Sequence, residues 1–174
     1  KGVESIVLSS TLPASWMWGE EQHRLIKLMP KEMQEAIKLA TSTGNYDDPA
    51  YVAAEAEFML RHCDGPDEAD PRECIRQKPR TGDEAYVIGW GPNEFTPLGT
   101  LKDYDVTGQL KDIKQPTLII NGGNDMCTPY IAKYMYDRIP NSKWELFQNC
   151  RHSCYVEETD KYIELLKEWM NANE

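Results

Sequence analysis

An α/β fold, with parallel strands, flanking helices and a helical cap insertion, is the fold class that this sequence of 174 residues predicts. Two observations predict it. After Gly99 the chain alternates strand, helix, strand and helix through short loops, which is typical of a parallel sheet covered by helices. From Trp16 to about Gly91 the apolar pattern is helical. We therefore expect three segments, namely a core strand (1–12), a helical cap (13–98) and the continuation of the core (99–174).

Three short segments are predicted to be the strands of the sheet. They occupy residues 4–8, 116–120 and 143–147. Residues 116–120 are a continuous apolar run, as expected for a parallel strand that is buried on both faces. The helices of this core are expected over residues 128–138 and from Thr159 onward.

Apolar residues spaced three and four apart predict the helices of the cap. They are expected over residues 20–29 and 31–43, with Leu28 on the apolar side of the first. Asp48-Pro49 predicts the start of a third helix, as an N-cap followed by proline at the first helical position. Another helical stretch is expected around Cys74. The third helix is expected to bury Val52, Ala56, Met59 and Leu60.

Composition and charge exclude several classes of protein. The formal net charge is -10 and no basic block occurs along the chain, so nucleic-acid binding is not expected. No apolar run approaches the ~20 residues that a membrane-spanning helix needs, so no membrane association is expected either. The five cysteines are an odd number without a disulfide-like framework, which indicates a reducing compartment. We expect a cytoplasmic protein.

Two polar residues follow neighbouring strands of the predicted sheet. Asp125 lies in the loop after the strand predicted over residues 116–120, and His152 lies in the loop after the strand predicted over residues 143–147. The carboxyl ends of parallel strands meet at one edge of a sheet, where α/β proteins place their chemistry. An Asp that accepts the Nδ1 proton of a His fixes the imidazole tautomer and stabilises its cation. The order Asp then His is that of an α/β nucleophilic triad without its serine.

Each of these two residues also has an ordinary structural interpretation. An Asp in a glycine-rich loop is commonly a turn or cap residue. A single His is commonly a structural or surface residue. The residues alone leave both interpretations open, and only the joint placement of Asp125 and His152 at successive strand ends favours catalysis.

Distinctive motifs run along the chain in a fixed order. SSTLP occupies residues 9–13, DDPAY residues 47–51, GPNEF residues 91–95 and GTLKDYD residues 99–105. The Pro-Thr-Leu strand, Asn124-Asp125, Thr128-Pro129 and the segment NCRHS around His152 follow. In this order the motifs resemble the proline iminopeptidases, which are serine peptidases of the α/β-hydrolase group. GPNEF and GTLKDYD are the most specific, since the Asp and His loops are common to α/β-hydrolases.

The resemblance implies the C-terminal part of an α/β-hydrolase fold, in which the helical cap covers the core. It also implies a serine aminopeptidase that releases an N-terminal residue, preferably proline, from short peptides with a free N-terminus. In that reaction His152 is the base and then the acid, Asp125 orients it, and Glu94 of the cap receives the α-ammonium group of the substrate. A buried carboxylate facing a required positive charge would select free N-termini. No cofactor and no metal are expected.

The sequence departs from the family in two respects. The family has a second acid directly after the triad Asp, whereas this chain has Met126. No Ser has a Gly two residues before and two after it, so the nucleophile elbow is missing. We therefore expect a fragment that is inactive alone. Its expected partner is the N-terminal half of the hydrolase, or a second copy, because an open sheet edge favours association.

Three alternatives remain beside the aminopeptidase. The alternation of Cys150, His152 and Cys154, with Cys127 in the neighbouring loop, is compatible with a zinc or redox site. The aromatic residues of the cap are compatible with a non-catalytic fragment that binds peptides. A cap-bearing amidase or esterase of the same fold is the third alternative.

Overall fold

The computed structural model describes residues 2–63 and 83–173, and the helical stretch expected around Cys74 lies outside them. No helix in these two ranges has the length and apolar character required to cross a membrane. Within the two ranges the elements in chain order are β1 (Ile6–Ser9), α1 (Ser15–Ile26), α2 (Lys31–Thr43), α3 (Pro49–His62), α4 (Asp83–Gly89), a 3-10 helix (Thr107–Asp112), β2 (Thr117–Gly122), α5 (Pro129–Tyr136), β3 (Ser142–Phe147), α6 (Cys154–Glu157) and α7 (Thr159–Ala172).

The three strands form one parallel sheet in the order β1, β2, β3. Every residue of the central strand β2 is buried, as expected for a strand covered on both faces. Ser9 lies opposite Ile120, and Gly122 lies opposite Phe147, so the carboxyl ends of all three strands meet at one edge. The predicted parallel sheet is confirmed, although β1 begins at Ile6 rather than at residue 4.

Successive residues of β2 face opposite sides of the sheet and therefore belong to two apolar clusters. Ile119 joins the larger cluster, to which α1, α2, α3 and α5 contribute. Leu118 and Ile120 join Phe147 in the smaller cluster. The expected apolar face of α7 packs against this smaller cluster through partly buried side chains, which are Tyr162, Leu165, Leu166 and Trp169.

Helix α1 begins earlier than the periodicity predicted, at Ser15 instead of residue 20. The Ser15 hydroxyl donates a hydrogen bond of 2.7 Å to the carbonyl oxygen of Leu101, so a contact far along the chain stabilises this start. The helix ends at Ile26. The expectation that Leu28 lies on an apolar side was wrong, because Leu28 follows the helix in a turn and is 69% exposed.

Helix α3 starts as predicted but buries a different face. The Asp48 carboxylate accepts a hydrogen bond of 2.8 Å from the amide of Ala50, which confirms the N-cap. The expected apolar face was wrong for Val52, Ala56 and Leu60, which are exposed, whereas Met59 packs against the larger apolar cluster as expected. A neighbouring stripe with two aromatic rings faces the core instead, where the Phe58 ring packs on that of Phe95. The buried residues of α3 are Tyr51, Ala54 and Phe58.

Replacement of the buried ring of α3 tests this assignment. The Phe58 ring lies 4.7 Å from the ring of Phe95 and 4.9 Å from that of His62, between ring centroids. We expect Phe58→Ala to lower the free energy of unfolding by about 3–5 kcal/mol, because it leaves a cavity in the core. Val52→Ala on the same helix should change it by no more than about 0.5 kcal/mol. Urea unfolding measures both variants, and equal losses would contradict the observed helix face.

Candidate active site

The loops after β2 and β3 touch because two glycines end the central strand. A Cβ atom at Gly122 would collide with the carbonyl oxygens of Arg151 and Cys150, and one at Gly123 would collide with that of Gln148. Both collisions are with backbone atoms, which cannot rotate away as a side chain could. The Gly123 amide also donates a hydrogen bond of 2.9 Å to the carbonyl oxygen of Phe147. The missing side chains therefore allow the two loops to pack directly together.

This packing brings Asp125 and His152 together. The Nδ1 atom of His152 lies 2.8 Å from Oδ1 of Asp125, and the Asp125 residue is only 1% exposed. A carboxylate is an acceptor, so the bond places the imidazole proton on Nδ1. The Cys127 amide donates a second hydrogen bond of 2.7 Å to the same oxygen. The structure thus joins the two residues that the sequence placed at successive strand ends, and their catalytic role stays a prediction.

Ser10 is a third residue at these strand ends, and it was not among the predicted site residues. Its hydroxyl lies 2.7 Å from Oδ2 of Asp125 and 2.9 Å from the carbonyl oxygen of His152. The amide of Gly122 also donates to Oδ2, at 3.2 Å. The position of Ser10 directly after β1 could have indicated it, because β1 ends at the same edge as β2 and β3.

A second residue that sequence reasoning missed is His62, which attaches the cap to both loops. The carbonyl oxygen of His62 accepts hydrogen bonds of 3.2 Å from the amides of Met126 and His152. Its Nδ1 atom lies 2.8 Å from the carbonyl oxygen of Asn124. Burial lowers the pKa of His62, although this hydrogen bond opposes the effect. The last turn of α3 is therefore fixed to the Asp loop and the His loop at once.

Glu94 of the cap lies near the imidazole of the pair. The Glu94 carboxylate accepts a hydrogen bond of 2.8 Å from the Tyr86 hydroxyl, and its backbone carbonyl accepts one of 3.0 Å from the Trp18 indole. The Trp18 ring is edge-on to the His152 ring, with 6.1 Å between centroids. Burial raises the pKa of Glu94, while the Tyr86 hydrogen bond and the charge of His152 oppose the rise.

The cysteines near the pair do not form a metal centre among the described residues. No group of three or more His, Cys, Asp or Glu side chains in residues 2–63 and 83–173 has the geometry to hold a metal ion. The Cys127 thiol lies 2.9 Å from the carbonyl oxygen of Thr11, and the Cys154 thiol lies 3.2 Å from that of Arg151. Burial raises the pKa of Cys150 to about 12, which favours a thiol over a metal-binding thiolate.

The parallel sheet, its covering helices and the polar residues at the strand ends are features of the α/β-hydrolases. Two solved structures superimpose on this chain. VinJ aligns over 99% of this chain and 59% of its own, with a TM-score of 0.82 and 26% identity. An α/β-fold hydrolase of Bacillus anthracis aligns over 95% of this chain and 58% of its own, with a TM-score of 0.63 and 18% identity. The chain has the C-terminal part of an α/β-hydrolase fold.

Within that class, relatives with about half of their aligned residues identical to this chain are proline iminopeptidases. The enzyme of Clostridium botulinum is 52% identical over all of this chain, and that of Lactobacillus delbrueckii subsp. lactis is 51% identical over 98% of it. The solved proline iminopeptidase of Mycobacterium smegmatis aligns over 99% of this chain and 58% of its own, with a TM-score of 0.80 and 26% identity. The resemblance to the proline iminopeptidases is therefore confirmed.

The chain is shorter than the relatives that it matches. It spans 59% of the length of the Clostridium botulinum relative and 58% of the Lactobacillus delbrueckii one. No family model matches the chain.

A side chain at the end of the central strand tests the loop packing. Gly122→Ala places a methyl group against the carbonyl oxygens of Arg151 and Cys150, so we expect the free energy of unfolding to fall by about 1–3 kcal/mol. Gly108→Ala is the matched control, since its methyl group would meet open space. Urea unfolding measures both. A Gly122→Ala variant as stable as the Gly108→Ala variant would contradict the close approach of the two loops.

Proposed function

We propose that this chain supplies the cap and the Asp–His pair of a serine aminopeptidase that releases an N-terminal residue, preferably proline, from short peptides. One observation carries the proposal. The 2.8 Å hydrogen bond between Asp125 and His152 lies at the ends of adjacent strands. The Trp18 indole, which donates to the carbonyl oxygen of Glu94, is edge-on to the His152 ring. The resemblance to proline iminopeptidases supports the same reaction.

The Asp–His pair provides the acid–base half of acyl transfer. His152 removes the proton of a serine hydroxyl as that oxygen attacks the carbonyl carbon of the substrate. The carboxylate of Asp125 holds the Nδ1 proton and stabilises the imidazolium that forms. His152 then gives its proton to the leaving amine, and the acyl-enzyme is hydrolysed by water through the same steps.

Glu94 selects substrates with a free N-terminus. Its carboxylate is buried enough to raise its pKa, which means that the ionised form lacks full compensation. A substrate ammonium group supplies that compensation, whereas an internal peptide bond does not. The buried Met126 occupies the position where the resemblance implies a second acid.

The nucleophile comes from polypeptide outside these 174 residues, because no Ser here has the spacing of a nucleophile elbow. β1 supports this part of the proposal. It pairs with β2 on one side only among the described residues, so its other edge is free to accept a strand. A strand from a segment that carries the serine, or from a second copy of this chain, would pair with the backbone groups on the free side of β1.

Complementation with the missing segment tests the proposed reaction. The chimera joins this chain to the part of the Clostridium botulinum relative that it does not cover. We expect the chimera to release the arylamine from a proline arylamide, and His152→Ala to lower kcat by about a thousandfold or more, because the serine loses its base. The chain alone should not react with a fluorophosphonate serine-hydrolase probe, whereas the chimera should be labelled.

Two controls decide between outcomes. His23→Ala in the chimera removes the same imidazole group as His152→Ala, but from an exposed residue, and it should keep full activity. A chimera that is labelled by the probe but cleaves only acyl esters would replace the aminopeptidase with an esterase. Stoichiometric labelling of the chain alone would refute the external nucleophile.

The pH dependence of the chimera tests the role of Glu94. The ammonium group binds the ionised carboxylate, so kcat/KM for proline arylamide should fall as the pH drops through the raised pKa of Glu94. Glu94→Gln keeps an acceptor for the Tyr86 hydroxyl but removes the charge. We expect it to lower kcat/KM for this substrate by about ten- to a hundredfold, since a hydrogen bond to a charged group contributes about 1.5–3 kcal/mol.

An uncharged ester substrate separates Glu94 from the catalytic base. Both substrates share the acid limb that arises from protonation of the base, but only the arylamide with a free N-terminus needs the Glu94 charge. Glu94→Gln should therefore leave hydrolysis of an acyl ester within about twofold of the unsubstituted chimera. An equal loss on both substrates would show that Glu94 acts on the fold and not on the ammonium group.

A further inference from the structure

Ser10 has a strained backbone, and its hydroxyl forms hydrogen bonds with the Asp–His pair. Among residues 2–63 and 83–173, Ser10 is the one residue other than glycine with a positive φ, which is 45°. L-residues other than Gly, Asn and Asp rarely adopt this conformation, and the strain persists only where the surroundings enforce it. The Ser10 amide donates a hydrogen bond of 2.8 Å to the carbonyl oxygen of Ile120, which anchors Ser10 to the neighbouring strand.

The turn at Ser10 points its hydroxyl at the Asp–His pair. The oxygen lies 2.7 Å from Oδ2 of Asp125 and 2.9 Å from the carbonyl oxygen of His152. A hydroxyl has one proton, so the two acceptors share a single donor. The adjacent Ser9 faces away, since its hydroxyl accepts a hydrogen bond of 2.9 Å from Tyr162 of α7.

The Asp125 carboxylate is thereby held at both oxygens. Oδ1 accepts from His152 Nδ1 and from the Cys127 amide, and Oδ2 accepts from the Ser10 hydroxyl and the Gly122 amide. The Gly122 bond is the longest of the four, at 3.2 Å. Ser10 therefore supplies the shorter contact to Oδ2. Loss of its hydroxyl would leave that oxygen with the weaker backbone donor and free the carboxylate to rotate.

We propose that Ser10 is a positioning residue that aligns the Asp125 carboxylate with the His152 imidazole from a third strand end. It acts on both partners, because it binds the side chain of one and the main chain of the other. This inference rests on the proposed function for its catalytic meaning. The positioning itself, in which Ser10 fixes the hydrogen bond between Asp125 and His152, does not require the chain to be active.

Three variants separate positioning from a merely structural role. Ser10→Ala removes the hydroxyl and keeps the strained φ. Ser10→Gly removes the same hydroxyl and also relieves the strain, so this variant should have a higher Tm than Ser10→Ala. Ser9→Ala is the matched control, since it removes the neighbouring hydroxyl, which faces α7.

The readout on the chain itself is the state of the His152 ring. Two-bond ¹H–¹⁵N correlation spectra distinguish the Nδ1–H from the Nε2–H tautomer, and His152→Ala assigns the signals among the three histidines. We expect the unsubstituted chain and Ser9→Ala to keep the Nδ1–H form. Ser10→Ala and Ser10→Gly should both shift His152 toward a mixture of tautomers. An equal loss of the fixed tautomer in two variants whose Tm values differ is a result that a merely structural role does not give.

The chimera with the nucleophile segment adds a kinetic readout. Ser10→Gly should lower kcat for proline arylamide by about tenfold and leave KM within about twofold, whereas Ser9→Ala should leave both unchanged. If the tautomer shifts as expected while the chimera lacks aminopeptidase activity, the proposed function fails and the positioning role stands. If both Ser10 variants keep the fixed Nδ1–H tautomer and the full kcat, the positioning role is overturned.

Discussion

The hydrogen bond between Asp125 and His152 is the interaction on which the arrangement of the other site residues depends. It joins two loops that leave adjacent parallel strands, and it exists only because those loops approach within backbone contact at Gly122 and Gly123. Parallel pairing brings the strand ends to one edge of the sheet. The missing side chains at the end of β2 then bring the two loops together. Parallel pairing thus places both loops at the carboxyl ends of the strands, and the two glycines allow the loops to come into backbone contact.

The cap is part of this site and not a separate cover. The carbonyl oxygen of His62 accepts from the amides of both loops, so the end of α3 holds the Asp loop and the His loop in one arrangement. The same cap carries Glu94, whose pKa is raised by burial. Keeping a carboxylate there costs free energy when no cation compensates it. That cost is consistent with the proposed role, in which a substrate ammonium group provides the compensation.

The sequence predicted some features of this chain and did not predict others. The three strands, the N-cap at Asp48 and the joint position of Asp125 and His152 could be predicted, because each depends on a local pattern or on a general rule of parallel sheets. The buried face of α3 could not. Its aliphatic stripe, with Val52, competes with a stripe of aromatic rings, and only the shape of the neighbouring core decides which one is covered.

By itself, the sequence determined the fold class, the resemblance to proline iminopeptidases and the two polar residues at the strand ends, since these follow from apolar runs, turn residues and ordered motifs. Only the tertiary structure revealed Ser10 and His62 as partners of that pair. Ser10 is 115 positions from Asp125, and its contact depends on a positive φ at the end of β1. His62 acts through its main-chain carbonyl, which every residue type possesses. The position of Ser10 after β1 indicates its strand end but not its contact, and a backbone acceptor leaves no pattern in the order of amino acids.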